Sequence, residues 1–156
     1  MTSSHVRAAQ LADIPLLVAL TNQFYAESGL ALPVAPATRT FGQLLSEPEH
    51  GRVWVLEWDA LPVGYIVLTV CFSMEYGGLR GFVDDLFVQQ PYRGRGLGTA
   101  ALVEVHRFCT ALGVRALFVE TDPTNETAQQ FYRRRGFGAD GRLLLALPLA
   151  PALRAS

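Results

Sequence analysis

Residues 81–101 read GFVDDLFVQQPYRGRGLGTAA, and the succession of textures inside them decides the fold. Gly81–Gln89 is built from Phe, Val and Leu, the residues of a central strand, around the acid pair Asp84 and Asp85. Gln90–Gly98 is rich in glycine and arginine and reads as a loop. Thr99–Leu112 repeats apolar residues at helical spacing, with Leu102, Val105 and Phe108 or Cys109 inward, and Gly113 stops it. Arg115–Thr121 reads as a further strand, so the order is strand, loop, helix, strand, which calls for a parallel crossover. Upstream, Val53–Trp58, a turn at Asp59–Pro62 and Val63–Phe72 predict an antiparallel hairpin, followed by a turn at Glu75–Gly78. The sum is an α/β chain with a mixed, largely antiparallel central sheet flanked by helices.

The ends are plainer. Val6–Gln10 suggests an opening strand, and a helix runs from Asp13 and Pro15 through Leu16, Leu20 and Phe24 to Gly29. Residues 30–38 (LALPVAPAT) read as loop because Pro33 and Pro36 resist helix, and Phe41, Leu44 and Leu45 suggest a short second helix closed by Pro48. Asn125–Arg135 predicts a last helix ended by Gly136. Arg142–Leu147 predicts a last strand, and 150–156 is the candidate for a disordered tail. With no repeat and no linker, residues 1–156 are expected to form one domain.

Composition excludes several chemistries. Half of the residues are apolar, and the net charge of -1 gives no pull toward nucleic acid or acidic membrane. All 13 basic residues are arginine, so a Walker-type phosphate lysine, a Schiff-base lysine and a lysine general base are ruled out. Cys71 and Cys109 are far apart, and His5, His50 and His106 are scattered, so no metal is expected. The N-terminus lacks the apolar core of a signal peptide. Val63–Phe72 and Leu143–Leu153 fall short of the roughly 20 residues of a membrane helix. A cytoplasmic protein with no membrane or nucleic-acid partner is expected. Leu143–Leu149 could supply an interface strand for a homodimer.

Arg93-Gly94-Arg95-Gly96-Leu97-Gly98-Thr99 lies between the strand and the helix. Glycines let backbone N–H groups approach an anion, and the helix N-terminus adds its positive dipole end. Arg93 and Arg95 add charged donors, which together suit a diphosphate. Gly96-Leu97-Gly98-Thr99-Ala100-Ala101 also satisfies a dinucleotide fingerprint, with Glu120 about 20 residues on. Against an oxidoreductase stand the residues between strand and first glycine, the long hairpin ahead of the motif, and too little chain after Glu120 for a doubly wound sheet.

At these residues the sequence resembles the GNAT superfamily of acetyl-CoA-dependent N-acetyltransferases. Arg93-x-x-Gly96-x-Gly98 matches its signature, and Asn125 with Phe131-Tyr132-Arg133-Arg134-Arg135-Gly136-Phe137 follows in the family's order. The resemblance runs from about Val53 to Leu147 and is closest in motif to diamine- and polyamine-type members. It implies acetyl-CoA in a cleft where Gly81–Gln89 and Arg115–Thr121 splay apart. Backbone groups of Leu86, Phe87 and Val88 would meet the pantetheine arm, and Arg93–Thr99 the pyrophosphate. It assigns Tyr132 as general acid to the leaving thiolate and Asn125 as a coenzyme contact; Asn125 also suits a helix N-cap. Strand alternation sends Asp84 and Asp85 to opposite faces, and the resemblance selects Asp84 as base or ammonium anchor, leaving Asp85 structural.

Glu75 and Tyr76 are weaker candidates for the substrate mouth, and Glu120 for the cleft. Arg133–Arg135 are candidates for the adenosine 3′-phosphate, while His106, Trp54 and Trp58 read as surface or hairpin residues. The expected activity is acetyl transfer from acetyl-CoA to a primary amine, small and of diamine, polyamine or amino-sugar type. A protein N-terminal or lysine acetyltransferase and a non-catalytic acyl-CoA sensor are the alternatives.

Overall fold

A computed structural model describes residues 1–153. Strands β1 (Ser4–Ala8), β2 (Gly51–Trp58), β3 (Leu61–Ser73), β4 (Gly78–Val88) and β5 (Ala116–Val119) form one sheet in the order β1-β2-β3-β4-β5. The first three pairings are antiparallel, and β4 pairs β5 in parallel. Helix α3 (Leu97–Leu112) makes the crossover between β4 and β5. On its face lies one core, in which Leu97, Ala101 and Val105 pack with Trp54, Leu56, Ile66, Leu68 and Val83. Helix α4 (Glu126–Arg133) adds Tyr132 to this core. Helices α1 (Ile14–Glu27) and α2 (Val34–Ser46) cover the other face, where Leu17, Leu20 and Phe41 meet Val53, Val55, Tyr65 and Phe87. A strand buried on both faces needs no polar alternation, which is why Val53–Leu56 is continuously apolar.

Three expectations need correction. The stretch 30–38 is not loop throughout, because α2 begins at Val34. Pro33 caps that helix and Pro36 lies in its first turn, where a missing N–H breaks no helical bond. The turn after β2 is only Asp59-Ala60, both at positive φ as a two-residue hairpin requires, so Pro62 belongs to β3. Arg142–Leu147 forms no strand; it runs as an unpaired segment tied by Arg142 to Glu75 at 2.7 Å. Five leucines from Leu143 to Leu149 are 70–92% exposed along it. Of the candidate tail 150–156, Leu153 is half-buried against the α1–α2 core, and 154–156 lie outside the described residues.

Candidate functional site

β4 outruns its partner. Its parallel ladder with β5 covers Arg80–Val83 against Ala116–Val119, while β4 itself continues to Val88. Beyond Val83 only β3 pairs with it, so the edge of Leu86–Val88 that faces away from β3 has no strand beside it among the described residues. The expected splay of the two strands is present, and it opens toward the glycine loop.

The loop folds as the chemistry of anion binding requires at two of its glycines. Gly94 (φ 71°) and Gly96 (φ 86°) are left-handed, with nothing within 4 Å of where a side chain would start. Gly96 is the N-cap of α3, so free helical N–H groups follow it directly. Gly98 serves packing instead: a Cβ there would stand 3.0 Å from Phe131 Cζ, so its bareness lets α4 approach α3. The arginines do not all point at the loop's open side. Arg93 donates to Val88 O at 2.7 Å and pairs with Glu27 at 2.5 Å, bracing the loop to β4 and α1. Arg95 lies over the rings of Trp58 and Tyr92. The arginine that reaches the first turn of α3 is Arg135, from just after α4, which bonds Thr99 and sits 3.6 Å above the Phe131 ring. Its Nε is buried with no hydrogen-bond partner among the described residues.

Tyr132 is buried, edge-on to Phe131 (5.1 Å between centroids) and Phe137 (5.4 Å). Burial first, then the charge of Asp85, pushes its phenol up to about 12, so it is a hydroxyl donor at any physiological pH. Asn125 lies just outside the helix that carries Tyr132. It is the N-cap of α4, its Oδ1 accepting from Ala128 N at 3.0 Å.

The acid pair departs from simple alternation. Val67 pairs with Asp85 and Leu68 with Val83, so Asp84 is an extra residue, a β-bulge. The parity of β4 changes there: Val83 and Leu86, three apart, belong to the same core. Asp84 and Asp85 consequently both line one cavity of about 350 Å³ on the α1–α2 side. Tyr65 donates to Asp85 at 3.1 Å and is kept protonated by burial and by that carboxylate. Asp84 has solvent along part of its surface, yet the protein around its carboxyl desolvates it enough to hold its pKa above the ordinary value. Thr21, Tyr25, Phe41, Leu44, His50 and Leu153 are among the other lining residues. The sequence reading missed His50 and Leu153, because nothing local in either stretch signals that the folded chain brings it to β4.

Glu75 and Tyr76 do not reach this cavity. They line a larger, open depression of about 580 Å³ at the N-terminal ends of β4 and β5, with Val114 and Arg115, away from the loop and the acids. Glu120 and His106 are exposed. No helix among the described residues is long and apolar enough to cross a membrane.

The family model described as acetyltransferase (GNAT) family matches residues 17–137. The chain is 28% identical over 92 residues to an uncharacterized N-acetyltransferase, YycN, of Bacillus subtilis (strain 168), covering 58% of each. It is 31% identical over 75 residues to N-alpha-acetyltransferase 30 of Schizosaccharomyces pombe, covering 47% of this chain and 50% of that one. The matched stretch thus spans between 50% and 58% of these curated relatives. Among solved structures, an integron cassette protein, HFX_CASS3, from the mobile metagenome of Cole Harbour Salt Marsh superposes with a TM-score of 0.88 at 52% identity, covering 95% of this chain and 92% of that one. Aminoglycoside N-acetyltransferase AAC(6')-Iy, in complex with CoA, superposes at 0.81 with 18% identity, covering 96% and 97%, a likeness of fold alone.

Proposed function

Because the chain belongs to the acetyltransferase (GNAT) family, we propose that it transfers an acetyl group from acetyl-CoA to the primary amine of a small molecule. The observation that carries this reading is the edge of β4 at Leu86–Val88, which has no strand beside it among the described residues and runs into a left-handed glycine loop and the N-terminus of α3. Backbone groups of Leu86–Val88 supply hydrogen bonds for an extended pantetheine chain, as an added strand would use them. The N–H groups from Gly94 to Thr99 suit the pyrophosphate, and Arg135 a further phosphate oxygen.

The roles follow from placement. A desolvated Asp84 holds the ammonium and accepts its proton, directly or through water. The freed amine forms the C–N bond as the C–S bond breaks. A backbone N–H near Leu86–Val88 polarises the thioester oxygen, and the Tyr132 hydroxyl meets the departing sulfur. Asn125 contacts the coenzyme while capping α4.

The proposal includes a homodimer. The outer edge of β5 carries no strand among the described residues, and the leucine segment 143–149 is apolar and exposed. Pairing that segment with a second copy satisfies both surfaces. A monomer by light scattering at micromolar concentration contradicts it.

The test of the activity is release of free thiol from acetyl-CoA across a panel of amines. Amine-dependent release supports the enzyme. Coenzyme A binding without turnover favours a sensor, and failure to bind coenzyme A removes the reading.

A further inference from the structure

The walls of the cavity at the acid pair describe the part of the acceptor that does not react. Its floor is β3 and β4, with Asp84 and Asp85 side by side at the bulge, so the negative charge forms one locus. No other carboxylate lines it among the described residues. Over that floor stand Leu32, Phe41, Leu44 and Leu153, contributed by the α1–α2 connection, α2 and the far C-terminal segment. The remaining polar groups facing inward are hydroxyls, Thr21, Tyr25, Thr40 and Thr69, with the Gln43 amide and His50. His50 is bonded to Glu47 at 2.5 Å.

A molecule with a second ammonium would carry it along the wall of Leu32, Phe41, Leu44 and Leu153, which is unfavourable, and Glu47, outside the cavity lining, is already bonded to His50 and Gln43. Sugar hydroxyls would be desolvated against that wall, and Thr21, Thr40 and Gln43 already donate to Leu17 O, Pro36 O and Glu47. A hydrocarbon group gains by burial there. The volume of about 350 Å³ is near the lower end of small-molecule pockets, roughly 300–1,000 Å³, room for one ring or a short branched chain.

We propose that the acceptor is an apolar primary monoamine, an arylalkyl- or branched alkylamine. Its ammonium meets the Asp84–Asp85 floor, and its hydrocarbon end seats under Phe41, Leu44 and Leu153. This rests on the acetyltransferase reading and narrows it, away from diamines, polyamines and amino sugars. Leu153 is a specificity-determining residue: it lies 68 positions from Asp85 in sequence and closes the same cavity.

The test compares kcat/KM by thiol release for phenethylamine, 1,5-diaminopentane and an aminoglycoside, with coenzyme A binding measured by calorimetry. Phenethylamine should lead by about 100-fold or more, the scale on which apolar pockets discriminate. Leu153→Asp places a carboxylate opposite the floor. It should lower phenethylamine kcat/KM about 10-fold and raise that of the diamine by a similar factor, both through KM. Loss on both amines alike, or an unchanged ratio, overturns the role of Leu153. The wild-type ranking tests the substrate class whether or not the variant folds, and a lead for the diamine or the aminoglycoside overturns that class alone. Coenzyme A binding with no turnover of any amine overturns the acetyltransferase reading and this inference with it.

Discussion

Replacing Tyr132 by phenylalanine removes one oxygen from the proposed leaving-group site and little else. The ring contacts with Phe131 and Phe137 remain, since both are made by the aromatic edge and face. The thermal midpoint should therefore move by no more than about 2 °C. The effect on rate follows from the acidity of the phenol. Burial pushes it up to about 12, whereas an ordinary thiol ionises near 8.5, so complete proton transfer to a free thiolate is uphill by roughly 5 kcal/mol. Tyr132 is thus better suited to donate a hydrogen bond as charge grows on sulfur than to surrender its proton early. A hydrogen bond to a charged group is worth about 1.5–3 kcal/mol, so kcat should fall by roughly 10- to 150-fold, with the KM for acetyl-CoA little changed. Thiol release under saturating acetyl-CoA reads the first, and calorimetric coenzyme A binding the second. A kcat within about 3-fold of wild type, with the fold intact, would mean that Tyr132 is core packing and that the sulfur is protonated by something else.

Two further outcomes are expected. Asp84 is held above its unfolded pKa, so its carboxylate opposes folding at neutral and alkaline pH, and the penalty fades as acid protonates it. Asp84→Asn should raise the thermal midpoint at pH 8, by less toward the ordinary carboxylate range, while lowering kcat/KM more than Asp85→Asn. A lower midpoint at pH 8 would show that Asp84 is paired rather than desolvated. The two glycines should separate by mechanism. Gly96→Ala forces a side chain to φ 86° in open space, costing about 1–2 kcal/mol of stability, and should weaken coenzyme A binding beyond that. Gly98→Ala presses on Phe131 instead, for about 1–3 kcal/mol, partly offset by alanine's helix preference, with a smaller effect on coenzyme A. The reverse ordering of coenzyme A affinities would place Gly98, not Gly96, at the phosphates.

The crossover and the glycine loop were legible because they depend on local chemistry: a β-rich run, glycines where φ turns positive, and an amphipathic repeat after them. The failures are equally physical. Alternation sends adjacent strand residues to opposite faces only while the ladder is regular, and the bulge at Asp84 is visible only from the register with β3. Pro36 looked like a helix breaker, yet position within a helix decides that, and it occupies the first turn. The Leu143–Leu149 run has strand composition but no partner among the described residues, and composition does not reveal whether one exists. Leu153 reaches the cavity through the course of the whole tail, which no local pattern encodes.

The bulge and the arginine-only composition answer the same question, how a charged reaction is housed in a chain that is half apolar. Arg52, Arg80, Arg93, Arg95 and Arg135 each lie over an aromatic ring, from 3.6 Å for Arg135 on Phe131 to 5.7 Å for Arg93 on Phe87. A planar guanidinium stacks this way while its edge donors stay available, as those of Arg93 do to Val88 O and Glu27. An ammonium has no flat face to offer, so lysine at these positions would lose the stacking and the fork together. These five side chains therefore act first as braces for the sheet, the loop and the helices. The acids are treated oppositely. One inserted residue in β4 brings two carboxylates onto a floor that Tyr65 fixes from one side, and the neighbouring wall is left apolar. Five arginines are thus spent on scaffolding while Asp84 and Asp85 are gathered at a single point, the arrangement that the proposed cationic acceptor beside a polyanionic donor calls for.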